Sequence, residues 1–194
     1  MVVPCEWEVL IDATERRNAT IPYGIYHRHA ELEPVLRPDG AVSWTDEVDV
    51  LFSAPSWVLA LMGGTEIVRT TGTTVLNRQQ RVRTAEHWNM DFSEKLVLHE
   101  TARMCVGAEP GTSEITMSAE VMCKIWGLSS AVEPIAAHFY KGSYDERVYF
   151  DKMTSFLEAS AAAGCPPLTT VERRAYVAAG KALPAGVEPP ETSA

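Results

Sequence analysis

Hydrophobic and polar positions alternate along this chain in two periods, and the change from one to the other marks its organisation. Residues 6–17 carry acids in the first turn and Arg16-Arg17 in the last, the polarity a helix macrodipole favours, which predicts a short first helix. A strand-like run through Val35 reaches the turn tetrapeptide Arg37-Pro38-Asp39-Gly40. Beyond it Val42, Trp44, Val48, Val50 and Phe52 resume at strand spacing, so the two runs predict a β-hairpin. After the segment Ala54 to Gly64, runs at residues 67–76, 81–92, 94–106 and 114–125 are separated by polar turns and predict a four-stranded meander. In its last hairpin, Leu96, Leu98, Ala102, Met104 and Val106 share one face, as do Ile115, Met117, Ala119, Val121 and Cys123 on the partner. Both sets meet the same side only if even positions pair with odd ones, for example Met104 opposite Met117. Cys105 and Cys123 then point to opposite faces.

From Leu128 the period becomes helical. Ser130-Ala131-Val132-Glu133 reads as a capping box, and Tyr149, Met153, Phe156, Leu157 and Ser160 form a stripe along a long helix crossing the sheet. Pro134 falls near its first turn, Gly142 can bend or divide it, and Gly164-Cys165-Pro166-Pro167 ends it. The expected organisation is an α+β domain over residues 1–165, an extra C-terminal helix over 166–182 and a flexible tail over 183–194. The domain is an antiparallel sheet of six to seven strands backed by a long C-terminal helix, with a short lid between hairpins.

Composition narrows the function. The net charge of −9 opposes broad attraction to nucleic acid or to anionic membranes, so any lipid contact must be local and apolar. No stretch approaches the roughly 18 apolar residues of a spanning helix. Four irregularly spaced cysteines fit buried thiols better than a disulfide scaffold or a metal site. His27 and His29 share a strand face, but no third ligand of matching spacing accompanies them, so no metal is expected. No catalytic fingerprint occurs and no cofactor is implied. The basic run Arg78-Gln79-Gln80-Arg81-Val82-Arg83 reads as a solvated hairpin end, with a weak phosphate contact as the alternative.

Two features carry candidate chemistry. Pro55-Ser56-Trp57-Val58-Leu59-Ala60-Leu61-Met62-Gly63-Gly64 packs five large apolar side chains into about two turns before two hinge-capable glycines. It is either a short core helix or a lid, with Trp57 at a membrane interface and Leu59, Leu61 and Met62 reaching the acyl region. Glu100 interrupts an apolar strand face, either as a hydrogen-bonded or edge carboxylate or as a polar group inside a ligand cavity.

The order of these elements, with Pro38-Asp39-Gly40, Pro55-Ser56-Trp57 through Gly63-Gly64, Asn89-Met90-Asp91-Phe92 and His99-Glu100-Thr101-Ala102-Arg103-Met104, resembles the PRELI/slowmo family over roughly residues 6–160. The resemblance implies a StART-like lipid-transfer fold, the mitochondrial intermembrane space, transient contact with membranes, and phosphatidic acid or phosphatidylserine as cargo, the former favoured on simplicity. It also implies a small helical-hairpin partner with twin disulfides. Arg17 stands at the family's basic position ending the first helix, and Lys141 falls near another, so both are expected to bind the head group. Two rivals remain: a small-molecule enzyme using the cavity, with Glu100 as acid or base, and a lipid-incompetent scaffold that binds only a partner.

Overall fold

A computed structural model describes residues 1–20, 26–51, 55–61, 63–143 and 146–190; the side chains of Tyr26, Leu61, residues 136–137, 139–143 and 146–149 lie outside that description. The elements are β1 (Val2–Val3), α1 (Trp7–Ala19), β2 (Tyr26–Leu36), β3 (Val42–Leu51), α2 (Ser56–Leu61), β4 (Ile67–Asn77), β5 (Val82–Asn89), β6 (Leu96–Val106), β7 (Ser113–Cys123), α3 (Ser129–Ser143), α4 (Glu146–Ala163) and α5 (Thr170–Ala178). The strands form one antiparallel sheet in the order β1-β7-β6-β5-β4-β3-β2. Each strand from β2 to β7 pairs with its sequence neighbour, and only β1 reaches across the chain, to β7. This is the α+β architecture expected of the pattern.

One face of the sheet is covered by helices, and among the described residues its buried core falls into two clusters. The larger lies under α1, α4 and α5, where Trp7, Leu10, Met153 and Val171 meet Val42, Leu76 and Ile115. The smaller lies at the other end, where Val58 of α2 meets Val68, Leu96, Leu98, Cys123 and Val132.

Four details depart from the sequence pattern. The last hairpin pairs even with odd residues, but Met104 faces Ile115 and Met117 faces Ala102. The turn closes through the Gly107 N–H to the Thr112 carbonyl, which centres the hairpin one residue earlier and shifts each partner by two. Helix α3 starts at Ser129, so Pro134 sits in its interior, and Glu133 accepts the backbone N–H of Cys123 at 2.9 Å instead of forming a capping box with Ser130. The capping box belongs to Thr169 and Glu172 at the start of α5. That helix ends at Ala178 rather than Ala182, because Gly180 adopts φ +63° and the Lys181 N–H returns to the Tyr176 carbonyl.

The basic run around Arg78 is not a solvated end. Arg78 grips the nearly buried Glu172 carboxylate through Nε and Nη2 at 2.7–3.0 Å. Arg81 pairs with Glu8 at 3.2 Å, and the Arg83 guanidinium lies 5.8 Å from the Trp44 ring centroid. These arginines tie the β4–β5 turn to α5, α1 and β3, where burial of neighbouring acids makes a fixed cation favourable. Replacing Glu172 removes a capping group and strands Arg78. Glu172→Ala is expected to lower unfolding stability by about 3 kcal/mol in urea titration; a loss under about 1 kcal/mol would show that the clamp is ornamental to the fold.

Candidate functional site

The antiparallel register lines up Glu31, Asp46, Gly72, His87, Glu100 and Ala119 in one row across the helix-covered face. This row is the candidate site. Gly72 makes room for it: a Cβ there would lie 2.2 Å from His87 Cδ2 and 2.0 Å from the Glu86 carbonyl oxygen. The His87 ring therefore occupies the space over Gly72, and its Nε2 comes within 3.3 Å of Asp46 Oδ2. From the other side His29 Nε2 lies 2.9 Å from Oδ1, the oxygen to which Trp44 Nε1 donates at 2.8 Å. Thr74 donates its hydroxyl to Oδ2. Four donors from β2, β3, β4 and β5 thus converge on one carboxylate that is almost wholly buried. Burial alone would raise its pKa. The hydrogen bonds from His29, His87 and Thr74 and the charge of Arg83 outweigh burial and hold Asp46 far below the usual carboxylate range.

Beside this anion sits a small cleft of about 20 Å³ whose polar lining includes Glu15, Asn18, Glu31 and Arg83. Burial pushes the Glu15 carboxyl up to about 7, against a 2.7 Å hydrogen bond from the Thr170 N–H, with the charges of Glu31, Glu172 and Asp12 adding to the rise. Burial also raises Glu31, tempered by the positive charge of His29, Arg83 and Arg174 and increased by Asp46. The row and cleft together present carboxylate acceptors beside Arg83 and Arg174, an arrangement suited to a ligand group rich in hydrogen-bond donors. His29, Glu31 and Asp46 bring ligand atoms within 4.8 Å of one another. Asp46 already accepts two donors on each oxygen, so the trio works as a hydrogen-bond network rather than as a cation cage.

Among the described sequence-predicted residues, Glu100 lies in the row and Arg17 adjoins the cleft through Asn18. Glu100 stands opposite His87 within the row, on the helix-covered face. Arg17, in the last turn of α1, donates from Nη2 to the Asn18 side-chain oxygen at 2.8 Å. Lys141 lies in α3 with its side chain outside the described residues. The lid segment contains α2: Pro55 and Trp57 are exposed, Val58 is buried, Leu59 packs against the smaller cluster, and Gly63 and Gly64 both take φ +82°. Met62 and the side chain of Leu61 lie outside the described residues. His27 and His29 do not share a face, because a bulge between Tyr26 and Arg28 breaks the alternation; His27 is exposed while His29 turns inward. Asp46, His87 and Gly72 were legible only as interruptions: a polar residue at an inward register between Trp44 and Val48, and a glycine in mid-strand.

Two outcomes follow. Gly72→Ala is expected to cost about 2–3 kcal/mol, because the strands must part or His87 must leave Asp46; the His87 ring resonances should move in NMR, and unchanged resonances would contradict the geometry. For Glu15, the folded pKa exceeds the unfolded one, so the folded state holds the extra proton between about pH 4.3 and the folded value. Its contribution therefore falls as pH rises through that window to about 7. The melting temperature of Glu15→Gln should decline less from pH 5 to pH 7.5 than that of the parent, and parallel pH curves would remove Glu15 as the titrating group.

Comparison with known proteins extends this description. No curated protein matches the chain. Among solved structures, the Zhui aromatase/cyclase from Streptomyces sp. R1128 superposes with a TM-score of 0.51 at 11% identity, over 86% of this chain and 95% of that one. At that identity the likeness is one of fold, a curved antiparallel sheet gripping a helix. Residues 32–147, which include the polar row from Asp46 to Ala119, match the PRELI-like family profile. That match spans more than half of the chain and runs from the first hairpin to the helix after the meander, so the chain belongs to the PRELI-like family, a family associated with lipid binding or transfer.

Proposed function

We propose that this protein carries one phospholipid between membranes of the mitochondrial intermembrane space without catalysing a reaction, and that the lipid lies along the helix-covered face of the sheet. The observation that carries this reading is the position of the polar row. It separates the apolar cluster beneath α2 from the larger core, so acyl chains entering under α2 meet Val58, Leu96 and Leu98 while the head group meets the row. Burial of the chains supplies most of the affinity. Arg17 and Lys141 are the cations assigned to the phosphate, and a small twin-disulfide helical hairpin is the expected partner.

The row also bears on the cargo. Glu31 and Glu100 repel a bare phosphate and accept hydrogen bonds from an ammonium, which favours phosphatidylserine over the phosphatidic acid that simplicity suggests. A second reading rests on the same residues: His87, oriented by Asp46 and facing Glu100, has the form of an acid–base pair for a small-molecule enzyme.

Liposome-to-liposome transfer of labelled lipids separates these readings. Phosphatidylserine should move faster than phosphatidic acid, and Glu31→Gln/Glu100→Gln should narrow the preference by about tenfold, the scale of one lost charged hydrogen bond. Arg17→Ala should slow both lipids. Absence of transfer of either lipid, with or without the partner, would sink the carrier reading and leave the enzyme reading standing.

A further inference from the structure

Three separate segments meet at the α2 end of the sheet, and each divides its apolar residues in the same way. In α2, Val58 and Leu59 pack into the smaller cluster while Trp57 is exposed. In the β5–β6 turn, Phe92 packs inward and Met90 is exposed. In the β7–α3 connection, Ile125 and Leu128 pack inward, while Trp126 between them is 97% exposed. The register fixes all three at one end, since Met90 N–H bonds the Arg69 carbonyl beside the start of β4 and Lys124 N–H bonds the Lys95 carbonyl. The three segments also share one foundation: Phe92, Ile125 and Leu128 belong to the cluster that anchors Val58.

Charge at this end differs from that of the whole chain. Lys95 and Lys124 are exposed beside the tips, offset by the exposed Glu66 and Glu94, while Arg69 is paired with Asp91 at 2.8 Å. The local balance of these groups is therefore near neutral in a chain of net charge −9, so anionic lipid is repelled less here than by the chain taken as a whole. A tryptophan and a methionine exposed at the tips suit the interfacial zone of a bilayer, where an indole settles at the level of the head groups.

We propose that Trp57, Met90 and Trp126 form one three-point platform that docks on a phospholipid bilayer, with Trp126 as its principal anchor and Lys95 and Lys124 at its rim. The platform places α2 against the membrane while the cluster beneath it stays closed, so docking and opening are separate events. This rests on the lipid-carrier reading and adds the surface by which the carrier meets its membrane.

The full chain is floated with mixed phosphatidylcholine–phosphatidylserine vesicles, and lipid co-purifying with each variant is measured by native mass spectrometry. Trp126→Ser is expected to reduce the vesicle-bound fraction by about tenfold, the scale set by withdrawing a tryptophan's apolar area. Met90→Ser should reduce it less, and both variants should keep their bound lipid. Val177→Ser, which removes an exposed apolar side chain from α5, should float like the parent. If Trp126→Ser and the double variant Trp126→Ser/Met90→Ser bind vesicles as the parent does while still holding lipid, the platform is overturned and the carrier reading stands. If the parent neither binds vesicles nor holds lipid, both are overturned.

Discussion

A buried carboxylate can persist only where its lone pairs are taken up, and Asp46 is the point at which this sheet meets that demand. Its four donors come from four adjacent strands, so the network fixes register as well as charge. A slip of one residue in β3 would carry Asp46 to the outer face and strand His29, His87 and Thr74 together. Removing one partner leaves the rest to bear an uncompensated anion. The polar row is therefore both a specificity element of the fold and the chemical surface that any ligand beneath the helices must meet.

The network explains why the face is not uniformly apolar. A carrier that held hydrocarbon alone would gain from continuous valine and leucine across the sheet. Here the apolar surface is instead divided into a cluster at the α2 end and a larger core under α1, α4 and α5. The division gives the face a direction: one end suited to hydrocarbon, the middle to hydrogen bonding, and the far end closed by packing.

Much of the architecture was legible because strand spacing is enforced by burial. The meander, the Pro38-Asp39-Gly40 turn and the division of the C-terminal helix into α3 and α4 near Gly142 all follow from local chemistry. The register of the last hairpin was legible in parity but not in position, since parity depends on which face is buried and position depends on turn geometry. The site was largely hidden. Glu100 stood out because it breaks an apolar run, whereas Asp46 sits among Thr45, Glu47 and Asp49, where one inward acid looks like its outward neighbours. The arginines of the β4–β5 turn misled for the opposite reason: a basic run looks solvated until distant acids, Glu172 and Glu8, are brought to it.

The clamp between Arg78 and Glu172 also constrains how the chain can acquire its structure. Val171 and Ala175 complete the same core as Val42, Trp44 and Leu76, some of the earliest sheet residues to be synthesised. Contacts of such sequence separation form late and slowly. Until α5 has been made, β2 and the β4–β5 turn lack their cover and Arg78 lacks its counter-charge. The core under α1 therefore closes only once α5 has joined it, which makes this helix the piece that completes the fold.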